Sequence, residues 1–292
     1  MTRDNTETQL PVIDEIEVNA AGFKTRCLVG GPDDGEVVLL LHDAAFGGSS
    51  DVSWSRIIPG LARRYRVIAP DLLGFGGSDK VVYVDRSPYD FRNLHVLAVL
   101  DALEVSGPVH LIGSSFGGSM GLHMLREPAG RLASVASIAG AGGGWRTDFG
   151  RSVLGQWDGT REGLKVIAAT LAEDSPEFNL NEHVDARYKW ASMNGHYRAV
   201  AAAGIKLPAA FASSGTRDPF PKTPDSDIPV LLIAGERDEL VLQDWPEKIL
   251  PLLPARTKAV RMNSKHSPNL EIPTETLKVL GSWLAECSLK NS

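Results

Sequence analysis

The feature that most limits the fold of this chain is a repeated alternation of short apolar runs with longer segments of helical size. Short runs rich in valine, isoleucine and leucine are typical of strands that are buried on both faces of a sheet. Such runs occur at 37–41, 65–69, 109–112, 132–138, 230–234 and 259–262. The alternation predicts a mostly parallel sheet with helices on both of its faces.

The segments between the runs predict helices over 54–64, 91–103, 117–125, 241–252 and 274–285. Residues 12–29 alternate in polarity around the turn Asn19-Ala20-Ala21-Gly22, which predicts an antiparallel hairpin at the edge of the sheet. The hairpin and the six runs together predict an eight-stranded sheet. This α/β core domain is expected to comprise residues 1–144 and 228–292.

The alternation stops after the glycine-rich stretch at 139–144, so residues 145–227 need a different explanation. Apolar residues occur at helical spacing at Leu164, Ile167, Ala168 and Leu171, and a second helical stretch covers 183–203. A turn-rich tract follows at 213–219. These features predict a helical cap, inserted after the sixth strand, that covers the carboxyl edge of the sheet.

Composition narrows the classes of partner. The 292 residues are 43% hydrophobic and 23% charged, as in a folded globular protein. A net charge of −6 without a basic block disfavours nucleic acid and anionic membranes, so a small molecule is the expected partner. Cys27 and Cys287 have no metal or redox spacing, and no metal or cofactor is expected. The polar start predicts a cytoplasmic protein, and self-association is left open.

The motif Gly113-Ser114-Ser115-Phe116-Gly117 follows the third apolar run and precedes a helix-like stretch. A GxSxG turn between a strand and a helix holds its central serine clear of the backbone, as attack on a carbonyl requires. Small flanking residues are needed because the turn is tight. The same pattern also suits a plain glycine-rich turn, so its meaning depends on the other strand ends.

Two further polar residues follow strands at the edge where the active sites of open α/β sheets gather. Asp238 comes just after the fifth run; Glu236 is the second acidic candidate, and a helix N-cap is the alternative role. His266 lies on a loop between the sixth run and the last helix. The order Ser115, Asp238, His266 predicts a nucleophile, an acid that orients the histidine, and a general base and acid.

The fourth strand-end segment is His42-Asp43-Ala44-Ala45-Phe46-Gly47-Gly48, a loop of mostly small residues after the first run. The backbone N–H groups of Ala44 and Phe116 are predicted to bind the oxyanion that forms when Ser115 attacks a carbonyl. Loss of one such donor typically lowers the rate by about two to three orders of magnitude. His42 is interpreted as a structural residue that holds this loop.

These motifs together resemble the α/β-hydrolase superfamily over nearly the whole chain, from about residue 12 to residue 284. The resemblance depends on four segments: Asp71-Leu72-Leu73-Gly74-Phe75-Gly76-Gly77-Ser78-Asp79, the GxSxG turn at 113–118, Gly235-Glu236-Arg237-Asp238, and His266 with Glu271 and Pro273. It implies the α/β-hydrolase fold and a cofactor-free serine enzyme. Glu271 and Pro273 are interpreted as residues that start the last helix.

Among the branches of the superfamily, the chain is most similar to the hydrolases that cleave ring-fission products of aromatic degradation at a carbon–carbon bond. Their oxyanion loop has the pattern HGGGPGA, which the loop at 42–48 matches in length, in its histidine and in one glycine. Their cap carries an arginine, followed by an aromatic residue, that binds the substrate carboxylate. Arg187-Tyr188 occupies the like position, and a structural ion pair is the alternative role for Arg187.

The residues predicted to contact the substrate are Asp43, Ser114, Trp145, Arg187, Trp190 and Ser267. The two tryptophans could instead serve packing. Ser114 and Ser267 depart from the family, which has asparagine before the nucleophile and tryptophan after the histidine. The predicted reaction is carbon–carbon cleavage in a carboxylate-bearing substrate; the alternatives are hydrolysis of small or aromatic esters and a non-catalytic ligand receptor.

Overall fold

The computed structural model describes residues 11–84, 87–126, 130–202, 223 and 226–289. The strands in these ranges are β1 (Ile13–Ala20), β2 (Phe23–Gly30), β3 (Val37–Leu41), β4 (Arg66–Pro70), β5 (Val109–Ser114), β6 (Leu132–Ile138), β7 (Val230–Gly235) and β8 (Thr257–Met262). They form one sheet in the order β1-β2-β4-β3-β5-β6-β7-β8. The β1–β2 and β2–β4 pairs are antiparallel and the other pairs are parallel, which confirms the predicted sheet.

The helices are α1 (Ser50–Trp54), α2 (Ile58–Leu61), α3 (Pro88–Ala102), α4 (Phe116–Met124), α5 (Asp148–Leu154), α6 (Arg161–Leu171), α7 (Leu180–Ala191), α8 (His196–Ala201), α9 (Trp245–Ile249), α10 (Pro268–Glu271) and α11 (Pro273–Leu289). The single helix predicted over 54–64 is instead divided into α1 and α2. Pro59 stands in the first turn of α2, where its missing N–H is tolerated. Pro246 likewise stands in the first turn of α9, so that helix starts later than predicted.

The sheet is buried on both faces because each strand sends alternate side chains to opposite sides. Leu39 and Leu41 of β3 pack in one cluster with Met120 of α4. Val38 and Leu40 pack in a second cluster, together with residues of α11. The helices therefore cover both faces and leave the carboxyl ends of the parallel strands accessible to the loops that carry the site.

The β1–β2 hairpin forms as predicted. Ala21 and Gly22, between the two strands, have φ values of 51° and 85°. Positive φ at both central residues is typical of a type I′ turn, whose twist matches that of the flanking strands.

Helices α5 to α8 lie between β6 and β7, as predicted for a cap. The four apolar residues that predicted a helix by their spacing are buried in α6, and Leu164, Ile167 and Leu171 pack with Phe46 of the core. This contact fixes the cap over the loop that follows β3. The turn-rich tract at 213–219 lies outside the described residues. None of the described helices combines the length and apolar character that a bilayer crossing needs.

Candidate active site

Ser115 occupies a strained turn between β5 and α4. Its φ of 53° and ψ of −110° lie in a region that residues other than glycine rarely adopt. The turn also needs flanking glycines, because a Cβ on Gly113 would lie 2.2 Å from the carbonyl of Gly117. A Cβ on Gly117 would lie 2.2 Å from the carbonyl oxygen of Leu41. The backbone thus holds Ser115 at the carboxyl edge of the sheet.

The side chains of Ser115, His266 and Asp238 form a continuous chain of hydrogen bonds. Ser115 Oγ is 2.8 Å from His266 Nε2, and His266 Nδ1 is 2.7 Å from Asp238 Oδ2. The other Asp238 oxygen accepts a hydrogen bond of 2.8 Å from the backbone N–H of Leu240. Both His266 and Asp238 are buried. The structure therefore brings together the three residues that the sequence singled out, although they lie on three separate loops.

Glu271 has a position that the sequence did not predict. It lies at the end of α10 rather than at a helix start, and it is 2% exposed. Its Oε2 accepts hydrogen bonds from the backbone N–H groups of Lys265 and Glu173, at 3.1 and 3.3 Å, and its Oε1 pairs with Arg237. These contacts hold the loop before His266. Pro273 is the first residue of α11.

His42 holds the loop that follows β3. Its Nδ1 lies 2.6 Å from the carbonyl oxygen of Asp43, and its Nε2 accepts a hydrogen bond of 2.9 Å from the N–H of Leu72. Burial lowers the pKa of His42, in keeping with a neutral ring that donates from Nδ1 and accepts at Nε2. His42 thus holds this loop through hydrogen bonds to the backbone, as expected.

A cavity of about 370 Å³ lies beside Ser115, between the core and the cap. Ala44 and Phe116, whose N–H groups are the predicted oxyanion donors, belong to its wall. The N–H of Phe116 lies in the first turn of α4, where an N–H has no partner within the helix. Among the described residues, those of the wall that carry a charge are Asp43, Arg92, Arg146 and Arg151.

The structure corrects the expected role of Arg187. Its guanidinium is fully buried and lies outside the wall of this cavity. Nη2 and Nη1 donate to the two carboxylate oxygens of Asp43 at 2.7 and 3.2 Å, and Nη1 also donates to the carbonyl oxygen of Phe46. Nε donates to His183 Nε2 at 2.7 Å. These bonds occupy the donors that would have held a substrate carboxylate, so Arg187 has a structural ion pair.

Asp43 lines the cavity but is occupied by protein contacts. Besides its bonds to Arg187, its carboxylate accepts hydrogen bonds from the N–H of Ala45 and the hydroxyl of Ser53. Burial by itself would raise the pKa of Asp43, but the charge and hydrogen bonds of Arg187 outweigh it and lower the pKa. Asp43 is therefore an anion neutralised within the protein rather than a free contact for substrate.

The two serines that were expected to contact substrate lie outside the wall of this cavity. Ser114 is 1% exposed, and its hydroxyl donates to Asn269 Oδ1 at 3.3 Å. Ser267 is fully buried, and its N–H donates to the carbonyl oxygen of Leu171 in the cap. Both serines face the protein interior because their strand end and loop are covered by neighbouring segments.

The two cap tryptophans also lie outside this wall. The indole N–H of Trp190 donates to Asp51 at 3.2 Å, and the Arg26 guanidinium lies 4.8 Å from its ring centre. Trp145 packs against the main core cluster, and its carbonyl oxygen accepts from the N–H of Leu242. Their role in this structure is packing between cap and core, the alternative that the sequence left open.

In the described part of the chain, histidine, cysteine and acidic side chains do not gather into a group of three or more that could hold a metal ion. The arrangement beside Ser115 is a hydroxyl, a histidine and a carboxylate in series. Such a series can remove a proton from the hydroxyl, or from a water, and return it to a leaving group.

Most of the chain matches a known protein family. Residues 38–279 match the alpha/beta hydrolase family. The chain is 27% identical over 271 residues to a 2-hydroxy-6-oxo-6-(2'-aminophenyl)hexa-2,4-dienoic acid hydrolase of Metapseudomonas resinovorans. The aligned residues cover 92% of this chain and 90% of the relative.

Two solved structures share the fold. A serine hydrolase involved in carbazole degradation matches with a TM-score of 0.76 at 25% identity, over 94% of this chain and 99% of the other. A carboxylesterase of Bacillus subtilis matches with a TM-score of 0.75 at 21% identity, over 94% and 92%.

The chain therefore belongs to the alpha/beta hydrolase family, and it is a hydrolase. Within that family, the resemblance to the carbon–carbon bond hydrolases of ring-fission products, first drawn from loop and cap motifs, is confirmed by these relatives.

Proposed function

We propose that the protein is a serine hydrolase that cleaves a carbon–carbon bond next to a ketone in a carboxylate-bearing, ring-fission-type substrate. The observation that carries the proposal is the unbroken hydrogen-bond series from Asp238 through His266 to Ser115, which opens on a cavity of about 370 Å³. Relatives of this chain are named as dienoic acid and dienoate hydrolases, and these names support the choice of bond.

The chemistry begins with the Ser115 hydroxyl. His266 Nε2 accepts its proton, while Asp238 holds the Nδ1–H and stabilises the imidazolium that forms. The oxygen attacks the ketone carbon, and the negative charge moves to the former carbonyl oxygen. The N–H groups of Ala44 and Phe116 would stabilise this oxyanion.

Carbon–carbon cleavage needs one step before the attack. A dienol substrate must first become the keto form, by moving its hydroxyl proton to carbon, so that the carbon that leaves departs as a stabilised enolate. Collapse of the oxyanion then breaks the bond, and His266 returns a proton to the leaving group. A water then gives a proton to His266 and attacks the acyl carbon. The bond to Ser115 Oγ breaks, His266 returns the proton to Ser115, and the acyl fragment leaves as a carboxylic acid.

Ester hydrolysis is the second candidate, and the state of Arg187 favours it. The arginine expected to hold a substrate carboxylate is neutralised by Asp43, and the departures at Ser114 and Ser267 alter the family pattern. In this case the leaving group is an alcohol and needs no prior ketonisation. The same three side chains and the same oxyanion donors serve both reactions.

A direct comparison of substrates tests the proposal. A ring-fission dienoate, an aromatic monoester with a free carboxylate, and a neutral p-nitrophenyl ester are assayed with the wild type, Ser115→Ala and Ser114→Ala. We expect the dienoate to give the highest kcat/KM, and Ser115→Ala to lose at least about three orders of magnitude on every true substrate. The buried neighbour variant Ser114→Ala should stay within a few-fold of wild type. Near-full activity in Ser115→Ala contradicts the proposal, and preference for an ester selects the second candidate.

A further inference from the structure

The wall of the cavity beside Ser115 includes a buried cation that has no acidic partner among the described residues. Arg92 of α3 is 4% exposed. Its Nε donates to the carbonyl oxygen of Leu73 at 3.3 Å, and its Nη1 donates to the carbonyl oxygen of Pro88 at 3.3 Å and to the Tyr83 hydroxyl. All of these acceptors are neutral. Within the described ranges, Nη2 has no hydrogen-bond acceptor and no carboxylate pairs with Arg92.

Aromatic rings surround the Arg92 guanidinium. Its Cζ lies 5.8 Å from the ring centre of Phe75, 5.1 Å from that of Tyr83 and 5.3 Å from that of Phe116. Phe75 and Phe116 also line the cavity, and Phe116 directly follows the nucleophilic Ser115. Ring faces attract a cation, but they do not neutralise its charge. The rings therefore fix the position of the guanidinium but leave its positive charge uncompensated.

Two other buried arginines of this chain have carboxylate partners that compensate their charge. Arg26 pairs with Asp71, and Arg187 pairs with Asp43, in both cases with a carboxylate that is itself buried. Burial lowers the pKa of Arg92, yet an arginine stays protonated in proteins. An unpaired buried charge is costly, and a bound anion would remove that cost.

The remaining charges of the wall leave the interior of the cavity positive. In the described part of the wall, Asp43 is the acidic residue, and Arg187 neutralises it. Arg146 and Arg151 are exposed, and Arg151 pairs with Asp148, so water and a carboxylate screen them. Arg92 is thus the wall residue whose positive charge is both desolvated and uncompensated.

We propose that Arg92 binds the anionic group of the substrate, a carboxylate, and that it makes this cavity select acids over neutral molecules of the same shape. The carboxylate lies against the guanidinium beside Phe116, and the bond to be cut lies at Ser115. The assignment rests on the proposed function only in taking this cavity as the substrate site. It transfers to Arg92 the role that the sequence gave to Arg187.

Binding measured without turnover tests the assignment. Ser115→Ala is titrated calorimetrically with benzoate and with benzamide, an aromatic acid and a neutral molecule of the same shape. We expect benzoate to bind at least about ten-fold more tightly, since a charge-assisted, forked contact is stronger than a neutral one. In Ser115→Ala with Arg92→Met the preference should disappear. Equal affinities in the single variant, or an undiminished preference in the double variant, overturn the assignment.

Two controls separate the outcomes. Arg131→Gln removes one positive charge far from the cavity, where Arg131 pairs with Asp101, and it should keep the benzoate preference. If Arg92→Met does not fold, Arg92→Lys replaces it: the lysine point charge lacks the fork, so we expect a reduced preference, and a full one overturns the assignment. Failure of the proposed function would appear separately, as turnover that survives Ser115→Ala while benzoate binding still depends on Arg92.

Discussion

Asp43 and Arg187 form a buried ion pair between residues 144 positions apart in the chain. One partner follows β3 and the other lies in α7, so the pair joins the oxyanion loop to the cap. Truncation of one partner of such a pair is strongly destabilising because it leaves the other charge buried without compensation.

A double-mutant cycle measures this coupling. Arg187→Met should lower the free energy of unfolding by about 3 kcal/mol or more, because the Asp43 carboxylate stays buried. Asp43→Asn combined with Arg187→Met should cost clearly less than the sum of the two single changes, since no uncompensated charge remains. Urea unfolding of the four proteins gives the coupling energy. Strict additivity would show that the two charges do not stabilise each other.

Glu271 connects three segments around His266. It contacts Lys265 before His266, Arg237 before Asp238, and Glu173, two residues after α6. A displacement of about 1 Å at a reacting group can lower the rate by up to about two orders of magnitude. Glu271 is thus placed to position His266 and Asp238 without touching the substrate.

Glu271→Gln and Glu271→Ala test this positioning role on p-nitrophenyl acetate. We expect kcat to fall by about ten-fold or more in Glu271→Ala with little change in KM, because the histidine loop shifts while the cavity stays. Glu271→Gln keeps the shape and should be less affected. If the melting temperature falls in both variants while kcat stays at the wild-type value, Glu271 stabilises the fold but does not position the histidine.

The buried ring of His196 joins the cap to the core. His196 Nε2 accepts a hydrogen bond of 2.9 Å from the N–H of Gly47, and its Nδ1 lies 3.1 Å from the carbonyl oxygen of Gly74. Burial lowers the pKa of His196 to about 4. Burial, followed by the Arg187 charge, lowers the pKa of His183 to about 3. Both rings are thus neutral in the folded protein.

These pKa values predict a loss of stability in mild acid. The unfolded histidine titrates near 6.5, so between pH 6.5 and 4 the unfolded chain binds more protons than the folded one. Protonation of His196 in the unfolded chain should therefore lower the free energy of unfolding by about 2 kcal/mol as the pH falls from 7 to 5. His196→Gln should be less stable than wild type at pH 7, and its deficit should shrink at pH 5. A deficit that stays constant across this range would contradict the prediction.

Local sequence patterns predicted the features of this molecule that depend on residues close together in the chain. The strands follow from apolar runs, and Ser115, Asp238 and His266 could be found because each directly follows a strand of a parallel sheet. The Arg187 pair, the Glu271 contacts and the position of Arg92 depend on segments far apart in the chain. A single sequence does not show which buried charge meets which, so the substrate contacts were the least predictable part of the site.

We propose that Ser115 is a nucleophile activated by His266. Covalent labelling of the folded protein with a fluorophosphonate, followed by mass spectrometry of the labelled peptide, tests it directly. We predict one label per chain on Ser115, its absence in Ser115→Ala, and labelling slowed by at least about two orders of magnitude in His266→Ala. Folded wild-type protein that takes up no label, or labelling that persists in Ser115→Ala, would contradict the claim.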